Sequence, residues 1–200
     1  MKKDVVVVES HFMSKANGEI SESNSSEAQD PYDLFDFEKT FDICFEELEK
    51  RYLKWQQICH PDQFLKESSQ TRLMAQKKAA QVNDAYFLLK NDVKRAHYLL
   101  TYHQIDSDVC EDKTIHEPQL LMEIMTHREA LDGIKEVDEL QTFALKINEQ
   151  LRLCKSTLSN AFDKENFDLA QQQTTRLQYL TKLQQEINQK KKILSSTTSQ

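Results

Sequence analysis

Apolar residues recur at three- and four-residue spacing through most of the chain, a period that predicts a protein built of helices. Phe45, Leu48, Tyr52, Trp55 and Cys59 form one such stripe over about 44–59, with Glu46, Glu47, Glu49, Lys50 and Lys54 elsewhere on the cylinder. Pro61 predicts a stop just before it, because the residue preceding a proline is pushed out of helical geometry. A polar connection through Ser68-Ser69 leads to a second long helix, striped by Ala75, Ala79, Val82, Tyr86 and Leu89. Small residues at Ala75 and Ala79 let a neighbouring helix approach closely. Two helices joined by a short polar loop pack antiparallel, so residues 60–70 stand at the tip of a hairpin. A shorter helix carrying Val93, Ala96 and Leu100 follows.

Three further amphipathic segments fill the second half. The first spans roughly 117–132 and reaches Gly133, a candidate C-terminal stop. The second, over 136–161, carries Leu140, Phe143, Ile147, Leu151, Cys154 and Leu158, and the third, over 164–193, carries Phe167, Ala170, Leu177, Leu180 and Ile187. Short connections favour an antiparallel three-helix bundle. The expected organisation is a disordered acidic tail (1–29), a hairpin domain (30–103) opening at Pro31-Tyr32-Asp33-Leu34-Phe35, a linker (104–116) and a C-terminal bundle (117–200). Ser21 to Asp30 holds too little apolar surface to offset the entropy of ordering. Phe37, Phe41 and Ile43 keep the approach to the first long helix apolar.

Composition agrees with an all-α class. Two Gly and three Pro in 200 residues are too few for the turns of a sheet protein. A net charge of −7 without a clustered basic face argues against a nucleic-acid partner. The apolar run Val5 to Val8 is too short for a membrane span or a signal core, and Glu9, Glu19 and Glu22 count against a transit peptide, leaving a cytoplasmic location as the expectation. Cys44, Cys59, Cys110 and Cys154 lie far apart, so no metal or redox motif is readable and inert thiols are expected. Asn24-Ser25-Ser26 matches a glycosylation acceptor only by chance, in the absence of a secretory signal.

The chemistry is concentrated at His60-Pro61-Asp62. Pro61 fixes its own torsion and restrains His60, Asp62 offers a charge to a cationic partner, and a restrained loop loses less entropy on docking. Taken alone, the triplet is a turn in which Asp62 bonds its own backbone. Set between two helices, with Tyr52 and Lys54 before it and Val82-Asn83-Asp84-Ala85-Tyr86 after it, the hairpin resembles the J-domain family. That resemblance implies docking on an HscA/DnaK-type chaperone and stimulation of its ATPase through His60, Pro61 and Asp62, with Arg51 and Lys54 as the supporting cations. Arg51 and Lys54 stand nearly alone among Glu46, Glu47 and Glu49, and Gln63 occupies a place where many family members have Lys. Charge complementarity sets encounter rate and orientation, so a slower or more selective encounter is expected.

Along 117–132, Leu120, Ile124, His127 and Leu131 form one stripe, while Leu121, Met122 and Met125 form a second strip displaced around the cylinder, beside Arg128 and Glu129. The second strip either covers the hairpin domain or stays exposed as a binding surface. Arg95-Ala96-His97-Tyr98-Leu99-Leu100, Leu121-Met122-Glu123 and Arg128-Glu129-Ala130-Leu131 look like the HscB family (Jac in fungi), J-proteins of iron–sulfur cluster assembly, over about residues 31–193. The resemblance implies that the bundle binds an IscU-type scaffold protein through Leu121, Met122, Met125, Arg128, Glu129 and Tyr179. Thr126 stands where some relatives carry an acid, and the chain has no Cys before Cys44 and so lacks the zinc module of some eukaryotic relatives.

Other readings make different demands on the residues. A general J-protein would use the same bundle for unfolded clients. A hydrolase built on His60 and Asp62 needs a third group, and no nucleophile elbow, metal spacing or phosphate loop is present in the sequence. Direct cluster binding by His127 and Cys154 lacks the several local cysteines that clusters use, so no cofactor and no enzymatic activity are expected.

Overall fold

The fold is that of a computed structural model, described here over residues 29–105 and 118–197. Among these residues there are seven α-helices, one 3-10 turn and no strand. The expected tail, apart from Gln29, and most of the expected linker, with Cys110, lie outside the described residues. No described helix is long and apolar enough to cross a membrane.

Helix α1 is a single turn, Pro31–Leu34. The Asp30 carboxylate caps it by accepting from the backbone N–H of Tyr32 at 2.8 Å and of Asp33 at 3.3 Å, and proline opens the first turn. Helix α2 runs Phe45–Ile58 and helix α3 runs Ser69–Lys90, the latter capped by Ser68, whose Oγ accepts from Thr71 N–H at 3.1 Å. Leu48, Trp55 and Cys59 are buried as the period predicted, together with Ala75, Val82, Tyr86 and Leu89 on α3. Phe45 is 46% exposed and Ala79 is half-buried, because a period assigns a face but not depth along it.

Side chains tie α2 to α3 in the pairs 52/86, 55/78 and 56/83. Low α2 numbers meet high α3 numbers, which is the expected antiparallel hairpin. Tyr52 and Tyr86 stack with ring centres 3.9 Å apart, and Asn83 Oδ1 accepts from Tyr52 Oη at 3.0 Å and from Gln56 Nε2 at 2.7 Å. The buried Lys78 donates to Gln29 Oε1 at 2.6 Å and lies over the Trp55 ring, so burial of its charge is compensated twice.

Helices α4 (Asp92–Tyr102), α5 (Pro118–Gly133), α6 (Val137–Asp163) and α7 (Phe167–Thr197) complete the chain. Contacts divide the molecule into two compact units. Of the described residues, the first takes 29–39 and Ile43–Asn91; the second takes Thr40–Asp42 and those from Asp92 on. The division falls at Asn91, earlier than the expected boundary at 103, because Ala96, Leu99 and Leu100 bury the face of α4 in the second unit, where that helix packs on α7. Helix α7 is the common wall of this unit. Contacts 123/176, 127/179 and 131/190 show α5 parallel to α7, the pairs 97/178 and 103/167 show α4 antiparallel to it, and the short turn between Asp163 and Phe167 with the contact 154/173 makes α6 antiparallel as well. The three-helix bundle predicted from sequence is present, with α4 as a fourth member.

The same unit holds the segment Thr40–Asp42. Phe41 is 1% exposed, its carbonyl accepts from Arg95 Nε at 2.7 Å, and its ring lies under the Arg95 guanidinium and against Phe162. Asp42 accepts from Ser159 Oγ at 2.8 Å. Helix α5 ends at Gly133 as expected, with Gly133 its last residue and without a positive φ. The Lys190 ammonium reaches across from α7 to donate to the Leu131 and Asp132 carbonyls at the end of α5.

Candidate partner-binding surfaces

The first surface is the loop at the hairpin tip. Cys59 ends α2, and His60 is extended (φ −63°, ψ 132°), as a residue before proline must be. Pro61–Phe64 then forms a 3-10 turn closed by Gln63 N–H donating to His60 O at 3.0 Å. The turn is capped by the His60 imidazole: Nδ1 accepts from Asp62 N–H at 3.3 Å. A turn held by the Asp62 carboxylate is therefore not what forms. The Asp62 carboxylate lies 3.6 Å from the same Nδ1. The His60 and Asp62 side chains are 57% and 77% exposed. The loop thus presents one imidazole and one carboxylate on a short, pinned turn.

The two supporting cations lie on α2, below the loop. Arg51 turns inward: Nη1 donates to the Phe35 and Asp36 carbonyls at 2.6 Å each, Nε pairs with Glu47 at 2.9 Å, and the guanidinium covers the Phe37 ring. This residue anchors the 35–37 bend, where Asp36 takes a positive φ. The Arg51 hydrogen bond in turn holds the Glu47 carboxyl below its ordinary range. Lys54 is half-buried on α2. Tyr52, Asn83 and Tyr86, which carried part of the family resemblance, form the clamp that closes the hairpin below the loop.

The second surface lies on α5. Leu120, Ile124, His127 and Leu131 are buried, whereas Leu121, Met122 and Met125 are 46%, 71% and 56% exposed. Arg128 and Glu129 are exposed beside it, and Thr126 turns its hydroxyl back to Met122 O at 2.8 Å. Tyr179 comes from α7, half-buried, with its hydroxyl 3.4 Å from Ile124 O and its ring parallel to that of His127. Burial pushes the Tyr179 hydroxyl up to about 12, against the opposing pull of Arg128, so it remains a donor. Glu123 and Arg176 close the edge of this region with a 2.7 Å ion pair.

His127 and Cys154 are core residues. Burial lowers the His127 pKa and raises the Cys154 thiol to about 11. Sequence periodicity placed His127 on the buried stripe; it gave no signal for the stacking on Tyr179, which joins residues 52 positions apart on different helices.

Similarity to known proteins fits this arrangement. The sequence model of a family described as the HSCB C-terminal oligomerisation domain matches residues 116–188. A Shewanella oneidensis protein named co-chaperone protein HscB homolog is 35% identical over 164 residues, which cover 78% of this chain and 93% of that relative. The chain belongs to the HscB family of co-chaperones. Chaperone HscB from Vibrio cholerae has a similar solved structure, with a TM-score of 0.74 at 29% identity over 83% of this chain and 99% of that one. Human co-chaperone protein HscB has the same TM-score at 26% identity, over 84% of each chain. The second unit holds little more than half of the chain, so the likeness to HscB extends to the hairpin as well. The family match takes in α5, α6 and most of α7, the three helices of the expected bundle.

Proposed function

We propose that this HscB-family chain is an adaptor in iron–sulfur cluster assembly. In this reading the hairpin is a J-domain that stimulates the ATPase of an HscA/DnaK-type chaperone through His60, Pro61 and Asp62, with Lys54 alongside. Arg51 contributes indirectly, by holding the bend that packs against the hairpin. The strip of Leu121, Met122 and Met125, flanked by Arg128, Glu129 and Tyr179, binds an IscU-type scaffold protein and delivers it to the chaperone, promoting cluster transfer. The chain itself carries out no catalysis in this scheme, uses no cofactor, and engages neither nucleic acid nor membrane.

The observation that supports this most is the exposure of three large apolar side chains along α5 while the neighbouring stripe of that helix is buried. Exposed apolar side chains rimmed by charge are what a protein partner anchors on. The test uses the full chain with purified chaperone and scaffold. His60→Gln should abolish ATPase stimulation and leave scaffold affinity unchanged. Leu121→Ala with Met125→Ala should do the reverse. Two anchors at about 1–2 kcal/mol each correspond to a loss of roughly 30-fold or more in affinity. Normal scaffold binding by the double variant would reject the assigned surface. Equal affinity of the wild type for a permanently unfolded polypeptide and for the scaffold would favour a general J-protein that delivers unfolded clients.

A further inference from the structure

His127 is buried at 4% exposure between two helices, with the Phe143 ring of α6 edge-on at 6.1 Å and the Tyr179 ring of α7 parallel at 6.1 Å. Its Nδ1 is buried and has no hydrogen-bond partner. An imidazole in such a place is held by packing, and a second ring proton would have no acceptor at that nitrogen. Charged groups face it from each packed element. Glu123, one turn earlier on α5, favours a positive ring, but its carboxylate already pairs with Arg176 at 2.7 Å. Lys146 of α6 and Arg176 of α7 both oppose a positive charge there, and the Tyr179 hydroxyl stays neutral while it donates toward Ile124 O.

We propose that His127 is an acid-sensitive latch for α5: the neutral ring locks this helix onto α6 and α7, and protonation releases it. The exposed strip of Leu121, Met122 and Met125 rides on the same helix, so release would disorder whatever surface that strip offers. The latch does not depend on the identity of the partner. Burial sets the direction: the His127 pKa lies below its ordinary value of 6.5 in the folded chain, so the opened helix binds the proton more tightly. The folded contribution is complete above about pH 6.5 and is lost as pH falls toward the depressed pKa. One linked proton raises the opening equilibrium up to about ten-fold per pH unit over that window.

Amide hydrogen exchange on the full chain at pH 7.5 and 5.5, expressed as protection factors, reads this directly. Protection of α5 amides should fall at pH 5.5, by up to about ten-fold, while the central amides of α6 hold. His127→Phe, which keeps a ring and cannot titrate, should keep α5 protection constant between the two pH values. The wild-type measurement is sufficient where that variant fails to fold. No fall, a fall shared equally by α6, or the same fall in His127→Phe would overturn the latch. Scaffold affinity is not part of the readout, so failure here leaves the proposed adaptor role intact, and failure of that role leaves the latch standing.

Discussion

Replacing Arg95 with methionine tests how the second unit is held together. The Arg95 side chain is 3% exposed, and its contacts include three that bear on the argument: Nε to Phe41 O at 2.7 Å, Nη2 to Asp92 Oδ1 at 2.6 Å, and the guanidinium over the Phe41 ring at 4.8 Å. Methionine fills much of the same space and removes all three. Stripping one partner from a buried ion pair costs about 3–5 kcal/mol, and a lost charged hydrogen bond to a carbonyl costs about 1.5–3 kcal/mol. Asp92 keeps Lys155 and a 22% exposed side chain, which softens the first figure. The expected loss is about 3 kcal/mol, a large part of the roughly 5–15 kcal/mol that holds a domain folded. Urea unfolding followed by far-ultraviolet circular dichroism reads it as a lower midpoint at constant slope.

A pH arm isolates the ion pair. Burial resists ionisation of Asp92, but Lys155 and Arg95 outweigh it, so its pKa lies below the ordinary 3.8. A depressed carboxylate stabilises above its unfolded pKa and loses that contribution as pH falls through the folded one. The gap between wild type and Arg95→Met should therefore narrow below about pH 3.8. A loss under about 1 kcal/mol at neutral pH, or a gap that does not narrow in acid, would refute the reasoning.

Two further outcomes follow from local geometry. Gly133 has no positive φ and a Cβ there meets nothing within 4 Å, so Gly133→Ala should raise stability by about 0.4–1 kcal/mol through the unfolded state; a lower urea midpoint would show that the site needs glycine. Cys44 is exposed, whereas burial holds the Cys59 thiol above its ordinary pKa and the Cys154 thiol at about 11, so iodoacetamide on the native chain at pH 8 should label Cys44 well ahead of both, as peptide mass spectrometry resolves.

Helices α2, α3, α5, α6 and α7 were legible from apolar spacing, because burial on one face leaves a local period. The same period separated Leu120, Ile124, His127 and Leu131 from the exposed Leu121, Met122 and Met125. Contacts between distant residues leave no such trace. Arg95 meets Phe41 across 54 positions and Ser159 meets Asp42 across 117, so neither the place of α4 nor that of Thr40–Asp42 was visible in sequence. Arg51 has a part that sequence could not show for a related reason: its bonds to the carbonyls of Phe35 and Asp36 join residues 15 and 16 positions apart. Relatedness supplied the functional reading at His60-Pro61-Asp62; geometry then added that the imidazole, and not the carboxylate, caps the turn.

That α7 is the common wall for α4, α5 and α6 constrains the order in which the chain can fold during synthesis. The hairpin of α2 and α3 belongs to a unit whose described residues end at Asn91, and it can form soon after they leave the ribosome. Helix α4 follows at once in sequence, but the surface that buries Ala96, Leu99 and Leu100 is still untranslated. Its apolar face must wait for α7, and Phe41 and Asp42 wait with it. The α6–α7 hairpin, joined by a three-residue turn, closes a short loop and is the natural first nucleus of the second unit. The apolar face of α4 therefore lacks its α7 partner until late in synthesis, and a substitution that slows α7 from closing would lengthen that interval without altering the folded product.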